Sequence, residues 1–218
     1  MRLISSADGT TVRIHVAGRR LSAADFAVLV EAASRGDGDL YITSRGNIQI
    51  RGLAEVPDKL SALSAMSDSA AGGVDKPAEL GWFERPDGTV DLGGALAFGV
   101  IRAKVAKLLT VLEAEVTVTA RRTFVLHGLE PHVAEAAVRV LAPLGVSFDE
   151  ATDLVRISAC VGAPACRHGL TDVRQDAFRA DTPGRVHFVG CAKACGRPTE
   201  PHTEFMATGE GEYEVTKR

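Results

Sequence analysis

Ile42-Thr43-Ser44-Arg45-Gly46-Asn47-Ile48-Gln49-Ile50-Arg51-Gly52-Leu53 returns 76 residues later as Val118-Thr119-Ala120-Arg121-Arg122-Thr123-Phe124-Val125-Leu126-His127-Gly128-Leu129. Thr, Arg, Gly and Leu coincide at four of the twelve positions, and the Ile/Val, Ile/Phe and Ile/Leu exchanges preserve the apolar parity. An upstream Asp-Gly-Thr recurs as well, at Asp8 and at Asp87, with an offset of 79. Self-similarity at a nearly fixed spacing marks two copies of one supersecondary unit.

The sequence around each copy follows the same order. Val12, Ile14 and Val16 alternate as in a half-buried strand, and Ser22 with Asp25 predicts a helix start ahead of Phe26, Leu29, Val30 and Ala33 at helical spacing. In the second copy Ile101, Val105, Leu108, Leu109 and Leu112 form one helical stripe that leads to a strand through Val116 and Val118. A further amphipathic stretch follows each repeated strand: Val56, Leu60 and Leu63 in one, and Ala134, Ala137, Val138 and Leu141, closing near Gly145, in the other. The pattern is βαβα twice, an α+β class. The small, polar, breaker-rich Ser67–Pro77 separates the copies, which gives halves at 1–66 and 78–150, a linker at 67–77 and a last segment at 151–218.

If the repeated stretch is one strand, Ile48 and Ile50 face one side and Arg45, Asn47, Gln49 and Arg51 the other. A solvated sheet face explains such a row. So does a surface for a large anionic ligand, because guanidinium forks pair with carboxylates and the amides supplement them. In the second copy Arg121, Thr123 and His127 share the corresponding face, interrupted by Val125.

Composition narrows the partners. With 218 residues, 45% of them hydrophobic, the chain is long enough for a genuine core, and its net charge of −3 supplies no global basic field for nucleic acid. No apolar run approaches the ~20 residues of a membrane span, and the N-terminal residues lack the apolar core of a secretory signal, so a cytoplasmic location and no membrane partner are expected. In that reducing setting the four cysteines are poor disulfide candidates. They are Cys160 and Cys166, spaced C-x5-C, and Cys191 and Cys195, spaced C-x3-C. Each pair follows an apolar run, Val155–Ile157 or Val186–Val189, and small residues such as Gly162, Gly190 and Gly196 surround them. Structural zinc favours tighter pairs, whereas four thiolates on two loops with a small-residue lining suit a [4Fe–4S] cluster.

Together the Thr43-x-Arg45-x-Asn47-x-Gln49 pattern, the C-x5-C and the C-x3-C resemble the nitrite/sulfite reductase superfamily of iron–sulfur tetrapyrrole proteins. Within it, Glu79–Thr89, Ser158–Cys166 with Leu170–Arg174, and Val189–Pro198 are most similar to the precorrin-3B synthases of aerobic cobalamin biosynthesis. The resemblance runs from about Asp8 to Pro198, and its cysteine-bearing segments are the most specific part. It implies two ferredoxin-like half-units followed by a cluster-binding α/β segment. Cys160, Cys166, Cys191 and Cys195 would ligate the cluster, with Cys195 bridging to siroheme iron in the sulfite reductase branch. Arg45, Asn47, Gln49, Arg51 and Arg121 would face the tetrapyrrole.

The implied reaction is oxygen-dependent hydroxylation and lactone formation on precorrin-3A, with a mononuclear non-heme iron as second metal and His168 and His202 as its candidate ligands. An electron donor is a required partner. Two alternatives stand beside it: a compact siroheme-dependent sulfite or nitrite reductase, in which Arg167, Lys193 and Arg197 could serve a small anion, and a non-catalytic cluster-bearing module. Full-length relatives carry a large segment between the halves and a longer tail, so a homodimer or a partner chain is expected to complete the pocket. Trp82, Phe83 and Phe98 are candidates for that interface, or for the core.

Overall fold

Val12 and Ile14, fully buried, point inward from a strand that becomes the second of a five-stranded antiparallel sheet. The computed structural model describes residues 2–6, 9–65 and 80–218. They fall into two compact units, Met1–Thr152 and Asp153–Arg218. In the first half, β1 (Arg2–Ser6) and β2 (Gly9–Ile14) pair antiparallel, and α1 (Ala23–Ala33) follows. Ser22 caps α1, its Oγ accepting from the Asp25 N–H at 3.1 Å, and Phe26, Leu29 and Ala33 are buried beneath it. Then come β3 (Leu40–Ile42), β4 (Ile48–Leu53) and α2 (Asp58–Ala65).

The second half repeats the plan with β5 (Gly81–Glu84), β6 (Val90–Ala95), β7 (Val100–Ile101), α3 (Ala103–Val111), β8 (Glu115–Val118), β9 (Thr123–Leu129) and α4 (Pro131–Leu141). A short 3-10 turn, Ala142–Leu144, ends α4 at Gly145, whose φ of 88° suits glycine. β5, β6, β9 and β8, in that order, form a four-stranded antiparallel sheet.

The expected βαβα plan changes in three places. The repeated stretch is a hairpin in each half, β3–β4 and β8–β9, because a four-residue turn resets the chain where unbroken alternation predicts one strand. β1 and β5 add an outer strand to each half. Ile101, expected on the α3 stripe, lies in β7 before the helix begins. The linker expected at 67–77 lies outside the described residues.

The halves exchange backbone reciprocally. β7 of the second pairs with β3 of the first, Leu40 opposite Ile101. Leu21 of the first bridges Val116 of β8, with N–H to O distances of 2.8 and 2.9 Å. In each case the exchanging residue lies just ahead of its half's first helix. Asp39 adds a side-chain link: Oδ1 accepts from the Ala103 N–H at 2.9 Å and Oδ2 from Arg102 at 2.9 Å, so a carboxylate of the first half caps α3 of the second.

The second unit is a sheet in the order β10 (Ile157–Ala159), β11 (Val186–Val189), β12 (Thr203–Gly209), β13 (Glu212–Lys217), parallel except for the last pair. Val155, expected in the first strand, lies in a 3-10 turn ahead of it. α5 (Val173–Arg179) packs on β10 and β11, burying Val173 and Ala177. Phe188 stacks on Phe205 at 4.4 Å between ring centres, with Tyr213 edge-on.

Candidate functional site

The tips of the two inner hairpins are built alike. Thr43 N–H donates to the Asn47 carbonyl at 2.8 Å, Gly46 N–H to the Thr43 carbonyl at 3.0 Å, and Arg45 N–H to Thr43 Oγ1 at 3.3 Å. The second tip repeats these bonds with Thr119, Thr123, Arg122 and Arg121 at 3.0, 3.1 and 3.1 Å. Gly46 and Arg122 hold the matching left-handed position, φ 67° and 63°. The tips lie against one another: a Cβ on Gly46 would come within 3.2 Å of Ala120 N. Arg45 and Arg121 therefore stand exposed at equivalent places on neighbouring turns.

This placement corrects the expected row of donors. Arg45 and Asn47 belong to the turn ahead of β4, and Arg121 likewise precedes β9, so none of the three shares a strand face with its expected neighbours. Asn47 is buried, its Oδ1 accepting from Val16 N–H at 3.1 Å and Ala17 N–H at 3.3 Å, which fixes the chain leaving β2. Gln49 and Arg51 do lie on the face of β4 opposite Ile48 and Ile50. With its amide turned to accept, Gln49 receives Arg13 at 2.7 and 3.1 Å. The Arg51 guanidinium lies 4.8 Å from the centre of the Tyr41 ring. Burial, with Arg2 and Arg45 close by, pushes the Arg13 guanidinium below its ordinary value. The face is cationic enough for neighbouring guanidiniums to act on one another.

In the second half the equivalent face is committed internally. His127 Nδ1 lies 2.9 Å from Asp91 Oδ2, and Nε2 lies 2.9 Å from Thr117 Oγ1. Asp91 also receives Gly128 N–H and Arg85 at 3.0 and 3.2 Å. Trp82 is 40% exposed on β5, and Phe83 and Phe98 are half-buried. Phe98 holds φ 58° at the position that Gly18, φ 72°, occupies in the first half.

The cysteines sit where the parallel strands β10 and β11 release their chains at one end of the second unit's sheet. Cys160 follows β10, its N–H donating to the Phe188 carbonyl at 2.9 Å, and Cys191 follows β11 after Gly190. Gly190 N–H donates to Cys160 Sγ at 3.2 Å. Glycines let three segments close here: a Cβ on Gly190 would lie 3.2 Å from Gly169 Cα, and one on Gly169 only 2.5 Å from Ala163 N. Burial pushes the Cys160 thiol up, the N–H groups of Gly190 and Gly162 pull it down, and the charges of Cys195 and Cys191 push it up again.

All four cysteines are free thiols, and Cys195 is exposed. Among the described residues no group of three or more His, Cys, Asp or Glu side chains converges on one ion. A four-iron cluster takes one thiolate per iron around its edge. The donor set fits such a cluster: unbridged thiols on two adjacent loops, with the Gly190 N–H already directed at the Cys160 sulfur. The two histidines considered for a second iron do not come together with other ligands. His168 is exposed beside Arg167, and His202 is buried with Nδ1 2.8 Å from the Glu200 carbonyl. Sequence reasoning did not single out Ser158, His187 or Glu204, whose grouping depends on the register of three strands.

Residues 4–69 match the nitrite/sulfite reductase ferredoxin-like half domain. The matched span runs from β1 through α2, so the half domain coincides with the first copy of the repeat. No curated protein matches the chain in sequence. Among solved structures, the NirA protein of Mycobacterium tuberculosis is similar at 17% identity and a TM-score of 0.46, over 68% of this chain and 31% of that one. The chain therefore spans less than a third of that protein's length. No helix among the described residues is long and apolar enough to cross a membrane.

Proposed function

We propose that this chain is an iron–sulfur oxidoreductase that handles a tetrapyrrole, most specifically one resembling precorrin-3B synthase, which hydroxylates precorrin-3A with dioxygen and closes a lactone. The observation that carries the reading is the delivery of Cys160 and Cys191 to one end of the β10–β11 pair, with the Gly190 N–H on the Cys160 sulfur. Cys160, Cys166, Cys191 and Cys195 would hold a [4Fe–4S] cluster, which supplies one-electron transfer. The N–H groups of Gly190 and Gly162 stabilise the thiolate form of Cys160 against its burial. Arg45 and Arg121, presented on twin turns, would take substrate carboxylates as guanidinium forks. Gln49 and Arg51 supplement them, while Asn47 acts by fixing the turn. An external electron donor, and a homodimer or partner chain completing the pocket, belong to the same proposal.

The half-domain match favours a second reading, a compact siroheme-dependent sulfite or nitrite reductase. Arg167 and Lys193, exposed on the cysteine loops, would then bind the small anion. Anaerobic purification after expression with iron and a siroheme supply, followed by an absorption spectrum and iron, sulfide and zinc assays, separates the two. Four irons with sulfide and no Soret band, followed by turnover of precorrin-3A with oxygen, is the expected result. A siroheme Soret band selects the second reading, a cluster without tetrapyrrole affinity leaves an electron-transfer module, and zinc without sulfide overturns both enzymatic readings.

A further inference from the structure

Ser158 on β10, His187 on β11 and Glu204 on β12 are register partners, so they form a polar row across three parallel strands. All three are buried, with His187 at 0% and Glu204 at 1% exposure. Such a row in a small unit costs stability unless each group is bonded. The bonds lead to the second cysteine loop. His187 Nε2 lies 3.3 Å from the Cys195 carbonyl oxygen, and Nδ1 lies 2.8 Å from Ser158 Oγ, which also reaches the Val186 carbonyl at 3.0 Å. The ring therefore donates to Cys195 through Nε2–H, while the serine hydroxyl proton, shared between two acceptors, sets that tautomer. Two residues on, Arg197 grips Glu204 with both arms of its fork, Nε to Oε2 at 2.6 Å and Nη2 to Oε1 at 2.8 Å. Arg218 Nη2 adds a contact to Oε1 at 3.3 Å.

The chain leading into these anchors is strained. Ala194 has φ 46° and Gly196 φ 79°, so Cys195 lies between two left-handed residues, one of them carrying a side chain. A non-glycine residue persists in that region only where its surroundings over-determine it. The anchors at the Cys195 carbonyl and at Arg197, together with the Ala194 N–H on the Cys191 carbonyl at 3.1 Å, provide that constraint. A loop held only by its eventual ligand would have no need of a fully buried carboxylate.

We propose that Glu204 with Arg197, and Ser158 with His187, form a two-point buckle that pre-shapes the Cys191–Cys195 loop and aims the Cys195 thiol before any cluster is present. Glu204 is on this view a positioning residue. The inference rests on the reading of Cys195 as a cluster ligand, but its test does not need the cluster. The full-length apo chain is alkylated with iodoacetamide and the rate read at each cysteine by mass spectrometry. In Glu204→Gln, Cys191 and Cys195 are expected to react roughly tenfold faster than in the wild type, with Cys160 and Cys166 unchanged, because loss of a charge-assisted fork raises local opening and leaves the first loop's own bonds in place. Arg197→Lys keeps the charge, loses the fork and is less disruptive, since Arg197 is 42% exposed; it is expected to give the same pattern more weakly and decides the matter if Glu204→Gln does not fold by circular dichroism. Four unchanged rates in folded variants overturn the buckle, as does an equal rise at all four cysteines. A wild-type chain that takes up no iron and sulfide would overturn the cluster reading, while the alkylation pattern would still decide the buckle.

Discussion

His127 is pulled in opposite directions by burial and by its partners. Burial lowers its tendency to protonate, Asp91 raises it through a hydrogen bond and its charge, and the balance leaves the imidazole below the ordinary 6.5. The neutral ring fits the network: Nδ1–H donates to Asp91 and Nε2 accepts the Thr117 hydroxyl proton. Asp91 is also held below the ordinary carboxyl value, because burial, which would raise it, is outweighed by His127, the Gly128 N–H and Arg85. For both groups the unfolded chain binds more protons than the folded one over the window between the two pKa values, so stability rises with pH there. The first unit should therefore lose stability as pH falls below about 6.5, where unfolded histidine begins to protonate, and again below about 3.9, where unfolded aspartate does. His127→Gln is expected to flatten the first of these slopes in a series of melting curves taken across pH. A variant that keeps the wild-type slope between pH 5 and 6.5 would show that His127 does not set it.

The elements of the first unit hold together through exchanged edges, and Asp39 is the side chain that tests this. α3 has no cap from its own N-cap residue, Arg102, and takes one from Asp39 across the pseudo-repeat. Asp39→Ala should cost about 1–2 kcal/mol in urea unfolding, since it removes a helix cap, while the Arg102 side chain, 66% exposed, is left to solvent at little further cost. Asp39→Asn should recover part of the loss by keeping the acceptor for Ala103 N–H. If both variants unfold with the wild-type midpoint, the cross-half cap contributes nothing. The helices of the first unit were legible in the sequence because caps and a 3.6-residue period are local signals: Ser22 starts α1 and Gly145 ends the turn after α4, as expected, whereas the seven-residue α5 is too short to show a period and was not foreseen. The edges were not. Ile101 sits four residues before Val105 and so fits a helical stripe, while only a partner from the other half shows it to be a strand. The hairpin tips were hidden by parity, although Thr43 and Gly46 carried the turn chemistry. The same logic divides the candidate site. Cysteine spacing is written along the chain, whereas the Ser158–His187–Glu204 row exists only once β10, β11 and β12 are in register.

At the scale of the molecule, the two units have unequal resources. The first closes one continuous apolar core from Val12 to Val146, whereas the second, residues 153–218, buries few large side chains, chiefly Val173, Val186, Phe188 and Val189. Units of that size are marginal on hydrophobic burial alone and usually gain from a metal or another staple. A cluster that binds only the folded loops adds its binding free energy to the stability of the unit that carries the cysteines. Hydrogen exchange read by mass spectrometry on iron-loaded and chelator-stripped chains should therefore diverge by unit. Stripping is expected to speed exchange at least tenfold in β10, β11 and β12, whose ladders lead into the cysteine loops. Exchange in β2, β4 and β9, strands of the first unit, should change little. Equal protection of β10–β12 with and without iron would mean that the cysteine loops gain nothing from a metal, and the case for the four thiols as cluster ligands would fall with it.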